Sequence, residues 1–176
     1  MVPLSFDVLE RELRSLSAPP RDIGVVRKLV RRLPAEGREC PESVVLDADR
    51  GLIGDQWAAG KANPEAQVTV MRADVASVMC RGGEYEVLGD NLFVELDTSA
   101  SNLPPGTRIR VGVVECEVTP KPHTGCHKFS RRVGADALAL TRTPEWKPQN
   151  LRGVHLRVLR SGRVAVGDAI VVESRP

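Results

Sequence analysis

The fold is indicated most clearly by the stretch Thr107-Arg-Ile-Arg-Val-Gly-Val-Val-Glu-Cys-Glu-Val118, in which apolar and polar residues alternate. Such alternation is typical of a β-strand with one buried face. A second stretch resembles it, Gly162-Arg-Val-Ala-Val-Gly-Asp-Ala-Ile-Val-Val172. Each contains a glycine within a run of β-branched residues, as strands do where the wall of a barrel bends or bulges. We therefore expect both stretches to be strands of a barrel wall.

Short segments of the same character recur along the rest of the chain, separated by Gly and Pro turns. The candidate strands are residues 25–30, 43–46, 67–71, 88–96 and 151–159. Helical segments are predicted at residues 73–79 and 128–141, with an irregular loop at 143–150. Asp55 and Asp168 are interpreted as structural residues of turns. The pattern predicts a mainly β fold, a closed or partly open β-barrel with a few peripheral helices.

The first residues form a separate amphipathic segment. Apolar residues recur there at helical spacing, at Leu4, Val8, Leu9, Leu13 and Leu16. The prolines at 19 and 20 end this predicted helix. We therefore expect residues 1–22 to form an N-terminal helix and linker, and residues 23–176 to form the barrel domain. The helix could cover the barrel or mediate a homodimer, since an amphipathic stripe looks the same in both cases.

Composition excludes several classes of function. The chain has 176 residues, enough for one domain, and its net charge of +2 provides no strong field for nucleic acid or a membrane surface. Aromatic residues make up only 3%, which leaves few rings for base stacking. No segment approaches the roughly 20 apolar residues that a membrane span needs. The cysteines at 40, 80, 116 and 126 form no C-x-x-C pair. We expect a cytoplasmic protein with reduced thiols.

The stretch that carries chemistry is Lys121-Pro-His-Thr-Gly-Cys-His-Lys-Phe-Ser-Arg-Arg132, which places Cys126 just beyond the end of a predicted strand. Six basic or potentially basic side chains lie within six residues of Cys126. Cationic neighbours favour the thiolate over the thiol. Cys126 is therefore the candidate reactive residue, and the following helix and loop would form a lid or pocket wall. A metal site of His123, Cys126 and His127 is disfavoured because adjacent loop residues seldom converge on one ion.

Several short motifs, in this order and at these separations, resemble the MOSC domain, the family named for the C-terminal part of molybdenum cofactor sulfurases. The matching motifs are Gly51-Leu-Ile-Gly-Asp55, Gly89-Asp-Asn-Leu92, Leu103-Pro-Pro-Gly-Thr-Arg-Ile-Arg-Val-Gly112, Glu117-Val-Thr119, Gly125-Cys-His-Lys-Phe129, Arg152-Gly153 with Val158-Leu159, and Gly167-Asp168. The resemblance extends over residues 24–173. It is greatest to the small stand-alone bacterial members.

The resemblance implies a β-barrel with one reactive cysteine at a pocket. In related proteins that cysteine either carries sulfur as a persulfide or binds the molybdenum of a pterin cofactor, and Cys126 is the matching position. A soft thiolate suits a thiophilic metal, and basic side chains could hold the phosphate of the pterin cofactor, molybdopterin. The candidates for cofactor binding are Lys121, Thr124, Lys128, Arg131 and Arg152. Asn91 could bond a ligand or cap a turn.

Three functions remain open from the sequence. The first is a molybdenum-cofactor protein that reduces small N-oxygenated compounds, with Cys126 as metal ligand and electrons from a separate reductase, because the sequence has no G-x-G-x-x-G fingerprint. The second is a sulfur carrier with a persulfide on Cys126, loaded by a separate cysteine desulfurase, since no pyridoxal-phosphate domain fits this length. The third is a non-catalytic module that binds an anion or a pterin.

Three departures from the family pattern bear on these alternatives. Gln56-Trp57 stands where relatives often have Arg-His, and Gly125 stands where many have proline. His155 replaces an aromatic residue. The first change removes a cation and a potential ligand from one wall of the pocket.

Overall fold

A closed β-barrel forms the centre of the computed structural model, which describes residues 2–60 and 62–176. The strands are β1 (Ile23–Leu29), β2 (Arg31–Arg32), β3 (Arg38–Glu39), β4 (Ser43–Asp47), β5 (Gly51–Leu52), β6 (Val68–Arg72), β7 (Leu92–Glu95), β8 (Arg108–Val111), β9 (Val114–Val118), β10 (Val154–Arg160), β11 (Gly162–Ala165) and β12 (Ala169–Ser174). Seven of these close the barrel in the order β1-β12-β8-β9-β10-β6-β7. This confirms the predicted fold class.

Each of the two stretches that indicate the fold consists of two strands joined by a turn and is not one continuous strand. Residues 107–118 form β8 and β9, which turn at Gly112 and Val113 so that Val111 pairs with Val114. Residues 162–172 form β11 and the start of β12, with Gly167 in the turn. The prediction that these glycines mark bulges within strands was wrong. Both have positive φ, 56° and 90°, and apolar residues alternate equally well on both sides of a tight turn.

Two apolar clusters lie on either side of the barrel wall. Side chains such as Val70 and Leu92 fill the barrel interior. The next residues along the same strands, Met71 and Phe93, point outward into a second cluster, because successive side chains of a strand alternate between faces. Strands β6 and β7 are parallel, and such a pair needs a crossover connection. The crossover contains helix α2 (Ala73–Met79), which covers this outer face.

The other helices complete the layer over the second cluster. They are α1 (Phe6–Ser15), α3 (His127–Val133) and α4 (Ala135–Leu140). Helix α1 buries Leu9 and Leu13 in this cluster and packs against α2 and α4. The single helix predicted at 128–141 is instead two helices, because Gly134 between them has φ of 103° and ψ of 160°. Within the described residues, no helix is long and apolar enough to cross a membrane.

Candidate functional site

Cys126 lies at the mouth of a cavity of about 590 Å³. The chain leaves the barrel after β9, runs through residues 119–125, and enters α3 at His127. Cys126 is the residue before that helix, and its side chain is exposed. Phe129, three residues later, is buried in the second cluster and anchors the helix. A packed helix thus fixes the position of an accessible thiol.

The surroundings of Cys126 favour its thiolate. Partial burial raises the pKa of the thiol, but the backbone N–H groups of Phe129 and Lys128 and the charges of Arg152 and Arg132 outweigh it, so the pKa of Cys126 is lowered. Cys40 is the other exposed cysteine. There, burial and the nearby Glu86 raise the pKa. The two accessible thiols are therefore shifted in opposite directions.

We expect Cys126 to be alkylated at lower pH than Cys40. The thiolate is the nucleophile, so the pH at which the rate of reaction with iodoacetamide rises follows the pKa of each thiol. The measurement compares Cys40→Ala, which leaves Cys126 accessible, with Cys126→Ala, which leaves Cys40. Near neutral pH the former should react several-fold faster. Equal profiles, or faster reaction at Cys40, would contradict the electrostatic description of the site.

Cations surround the cavity. Its lining includes five, Arg32, Arg38, Lys128, Arg132 and Arg152. Among the described lining residues, Glu36 is the only carboxylate. Asp55 and Asp90 compensate two of the arginines from below, with Arg32 2.7 Å from Asp55 and Arg152 2.9 Å from Asp90. Five cations face three carboxylates, so the cavity has a surplus of positive charge and suits an anionic ligand.

A buried polar cluster forms the floor of the cavity. Arg152 donates a hydrogen bond to Asp90, and its guanidinium group stacks over the Phe129 ring with 4.5 Å to the ring centroid. His123 lies beside this pair, with Nε2 3.4 Å from Asp90 Oδ1, and packs against His155 with ring centroids 4.5 Å apart and the ring planes tilted by 49°. Burial and the charge of Arg152 lower the pKa of His123 well below its usual value. His123 is therefore neutral at pH 7.

We expect the folded state to lose stability as the pH falls below about 6.5, the pKa of an unfolded histidine. Between that value and the lower pKa of folded His123, the unfolded state binds a proton that the folded state does not. The free energy of unfolding then decreases by up to about 1.4 kcal/mol per pH unit for one proton. Burial lowers the pKa of His155 too, and acts in the same direction.

Urea unfolding across this range of pH tests the prediction. The slope of unfolding free energy against pH should flatten in His123→Gln, whatever that variant does to stability at pH 7. The control is His127→Gln, because His127 is exposed. A slope unchanged by His123→Gln would show that His123 does not carry the effect.

A second buried network supports the cavity wall. The Asn91 side chain accepts hydrogen bonds from the backbone N–H and hydroxyl of Thr69 and donates to Asp55 and to the Val30 carbonyl. Asp55 also accepts bonds from Arg32 and from the Trp57 backbone N–H. These bonds fix Arg32 and Trp57 at the cavity. Asn91 and Asp55 therefore support the residues of the cavity wall from behind and do not line its surface.

The structure brings together only part of the predicted cofactor-binding set. Thr124, Lys128 and Arg152 line the cavity with Cys126. Lys121 lines a smaller cavity of about 150 Å³ instead. Arg131 is exposed and lies 3.3 Å from Glu36. Asn91 is completely buried below the wall. Within the described residues, no three metal-binding side chains cluster, so His123, Cys126 and His127 form no such site.

Sequence reasoning missed the opposite wall of the cavity. Arg32 and Arg38 come from the β2–β3 pair, and Glu36 from the short turn between them. The only local signal was the concentration of arginines around Pro34 and Gly37. Gln56 and Trp57, noted as departures from the family pattern, also line this wall. Gly125 is packed tightly, since a Cβ atom there would lie 2.6 Å from Leu138 Cδ1.

Comparison with known proteins identifies the family to which the chain belongs. The family model of the MOSC domain matches residues 63–171. The chain belongs to the MOSC domain family. Cys126 lies inside the matched span, whereas the missed wall residues precede residue 63. No curated protein matches the chain significantly.

Solved structures share the MOSC fold with this chain. The YuaD protein from Bacillus subtilis superposes with a TM-score of 0.66 at 16% identity, over 90% of this chain and 100% of its own. YiiM from Escherichia coli gives a TM-score of 0.57 at 18% identity, over 85% of this chain and 71% of its own. At such low identity these similarities establish the fold alone.

Proposed function

We propose that this MOSC protein binds the molybdenum cofactor and that the Cys126 thiolate is the metal ligand. The observation that carries the proposal is a thiol of lowered pKa at the mouth of a cation-lined cavity of about 590 Å³. A soft thiolate is a favoured ligand for a thiophilic metal. The surrounding cations match a cofactor with a phosphate group.

The donors that line the cavity fit such a group. Arg38 Nε, Trp57 Nε1 and Arg152 Nε are buried and have no hydrogen-bond partner in the described structure. All three can only donate, so a suitable partner has acceptor oxygens. Thr124 and Lys128 add a hydroxyl and an ammonium group at the cavity surface. We propose that these two residues and Arg152 hold the cofactor, while Cys126 binds its metal.

When bound, the cofactor would supply the redox-active metal for reduction of a small N-oxygenated compound. Arg152 would orient the bound group, because its position is fixed by Asp90 and the Phe129 ring. Neutral His123 at the floor would keep the buried charge low next to Arg152. Electrons would come from a separate reductase.

The test is the molybdenum and phosphorus content of protein purified from a host that makes the cofactor. Wild type should contain both elements, and Cys126→Ala should lose the molybdenum. Cys40→Ala is the matched control, since Cys40 is also an exposed free thiol. Full molybdenum content in Cys126→Ala would refute ligation by this thiolate.

A sulfur carrier is the second candidate, favoured by the exposure of Cys126. An accessible thiolate can accept sulfur from a desulfurase as a persulfide and pass it on. Mass spectrometry after incubation with a cysteine desulfurase and cysteine should then show one added sulfur atom on Cys126, and none on Cys40. If metal-free wild-type protein gains no sulfur in this incubation, the result would count against this function.

A non-catalytic module that binds an anion or pterin is the third candidate. It is favoured by Gln56 and Trp57 on the cavity wall, where relatives often have a cation and a potential ligand. Tight cofactor binding without turnover, in the presence of an artificial electron donor and a panel of N-oxygenated compounds, would support it over the reductase.

A further inference from the structure

Three arginines meet on one wall of the cavity, Arg32 and Arg38 from the β2–β3 pair and Arg132 from α3, the helix that Cys126 precedes. Arg32 and Arg38 face each other across the β2–β3 pair, and like charges directly opposite destabilise such a pair. Arg132 donates to the Leu88 carbonyl at 3.2 Å. The Arg38 guanidinium packs against the next residue, since a Cβ atom on Gly89 would lie 2.8 Å from Arg38 Nη2. The wall thus gathers positive charge at a cost in stability.

Arg38 is the arginine whose charge is least compensated. Arg32 pairs with Asp55 and Arg132 with Glu36, but among the ion pairs of the described residues none includes Arg38. Its Nη1 donates to the carbonyls of Glu36 and Gly37, and its Nε is buried without a partner. Burial and the charges of Arg132 and Arg32 lower the pKa of Arg38. Trp57 Nε1, on the same cavity, also lacks a partner. Two buried N–H groups of this wall, Arg38 Nε and Trp57 Nε1, therefore lack an acceptor.

Glu36 places an acidic group of the protein itself against this wall. Its carboxylate lies 3.1 Å from Arg132, 3.3 Å from Arg131 and 3.5 Å from Lys128. The backbone of Ala35 and Glu36 is left-handed, with φ of 54° and 60°, which is uncommon for residues other than glycine. A turn in an uncommon conformation thus brings a carboxylate to cations that line the cavity.

We propose that this wall binds a phosphate-type oxyanion between Arg38, Arg132 and Trp57, and that the Glu36 carboxylate competes with it. A tetrahedral oxyanion offers the acceptor oxygens that the unpartnered donors lack, and arginine suits it through paired N–H groups. The shared chemistry is that of free phosphate and of a phosphate monoester. If the anion is the cofactor's own phosphate, the inference rests on the proposed function. If it is another phosphate, the inference is independent of that function.

Calorimetric titration of metal-free protein with inorganic phosphate, at constant ionic strength, tests the role of Glu36. Glu36→Gln should bind phosphate about fivefold more tightly, which corresponds to ~1 kcal/mol. Glu39→Gln is the matched control because it removes the same charge from the same hairpin, with similar side-chain exposure of 48% against 46%. Glu39 pairs with Arg31, and its loss should change affinity less than about twofold. Equal gains in the two variants would overturn competition at this wall.

Arg38→Gln tests the binding site itself and should weaken phosphate binding at least about tenfold. Arg31→Gln, on the same hairpin, is its control and should have little effect. Thermal melting establishes whether each variant is folded. If Arg38→Gln does not fold, the proposal is tested with Arg38→Lys and with the Glu36→Gln comparison. Unchanged affinity in folded Arg38→Gln would overturn the proposal. So would a lack of phosphate binding in both wild type and Glu36→Gln.

A second titration distinguishes the two sources of the anion. Protein loaded with cofactor should no longer bind inorganic phosphate if the cofactor's phosphate occupies the wall. Continued phosphate binding to loaded protein assigns the wall to a separate phosphate-bearing ligand. Phosphate binding by a protein that never acquires molybdenum would refute the proposed function and leave this inference intact.

Discussion

Replacing Asp90 by Asn is expected to destabilise the fold by about 3–5 kcal/mol, because it leaves the Arg152 charge buried and uncompensated. The Asp90 side chain is 1% exposed and that of Arg152 is 7% exposed, with 2.9 Å between the paired atoms. The substitution keeps the size of the side chain, so the loss is electrostatic rather than steric. Urea unfolding measures it as a decrease in the midpoint concentration at constant slope.

An exposed ion pair provides the control for Asp90→Asn. Glu95 pairs with Arg27 at 2.7 Å, and both side chains are about half exposed, at 47% and 50%. Glu95→Gln should cost no more than about 1 kcal/mol, since water screens such a pair. The double variant Asp90→Leu with Arg152→Met should recover much of the loss, because it removes both charges together. Equal effects of Asp90→Asn and Glu95→Gln would show that the floor of the cavity is hydrated.

The barrel could be predicted from the sequence because its signal is local. Alternation along β9 and β10, and turn residues between strands, indicate strands whatever lies elsewhere in the chain. The errors also have a local cause. A tight turn at Gly112 and Val113 leaves the alternation intact on both sides, so the sequence looks like one strand with a bulge. The break at Gly134 lies between two segments that are each helical, and their periodicity alone does not reveal it.

Half of the site could be anticipated and half could not. Cys126, Thr124 and Lys128 are close in sequence, so the motif that contains the cysteine also contains them. Arg38 lies 88 positions before Cys126 in the sequence and reaches the same cavity through the β2–β3 hairpin. Only the closed barrel brings these segments together. No periodicity in the sequence encodes that contact.

The sequence also does not predict which of the adjacent residues Arg131 and Arg132 lines the cavity. Both belong to α3, and adjacent residues of a helix point about 100° apart. Arg132 lines the cavity and donates to the Leu88 carbonyl, whereas Arg131 is exposed. The sequence places both near Cys126 but leaves open which face of the helix meets the barrel. Packing of Phe129 and Val133 in the second cluster determines that face.

Gly153→Ala is expected to destabilise the protein by on the order of 4 kcal/mol or more, or to prevent folding. Gly153 has φ of 83°, which other residues rarely adopt. A Cβ atom there would overlap the Val70 carbonyl oxygen and lie 2.7 Å from its carbonyl carbon. Strand β6 cannot move away, because Val70 is paired with Val154 of β10 on one side and Leu92 of β7 on the other. Relief of the overlap would therefore separate barrel strands.

Gly167→Ala is the control that distinguishes the steric overlap expected in Gly153→Ala from the cost of the left-handed backbone conformation. Gly167 has φ of 90°, but a Cβ atom there would meet nothing within 4 Å. Its substitution should cost only the penalty of a left-handed conformation, about 1–2 kcal/mol. Unfolding curves of the two variants give the difference, which reports the close approach of Gly153 to β6. Because Arg152 precedes Gly153, this approach also positions the Arg152 guanidinium under the cavity. Equal decreases in unfolding free energy in Gly153→Ala and Gly167→Ala would refute the close packing of Gly153 against β6.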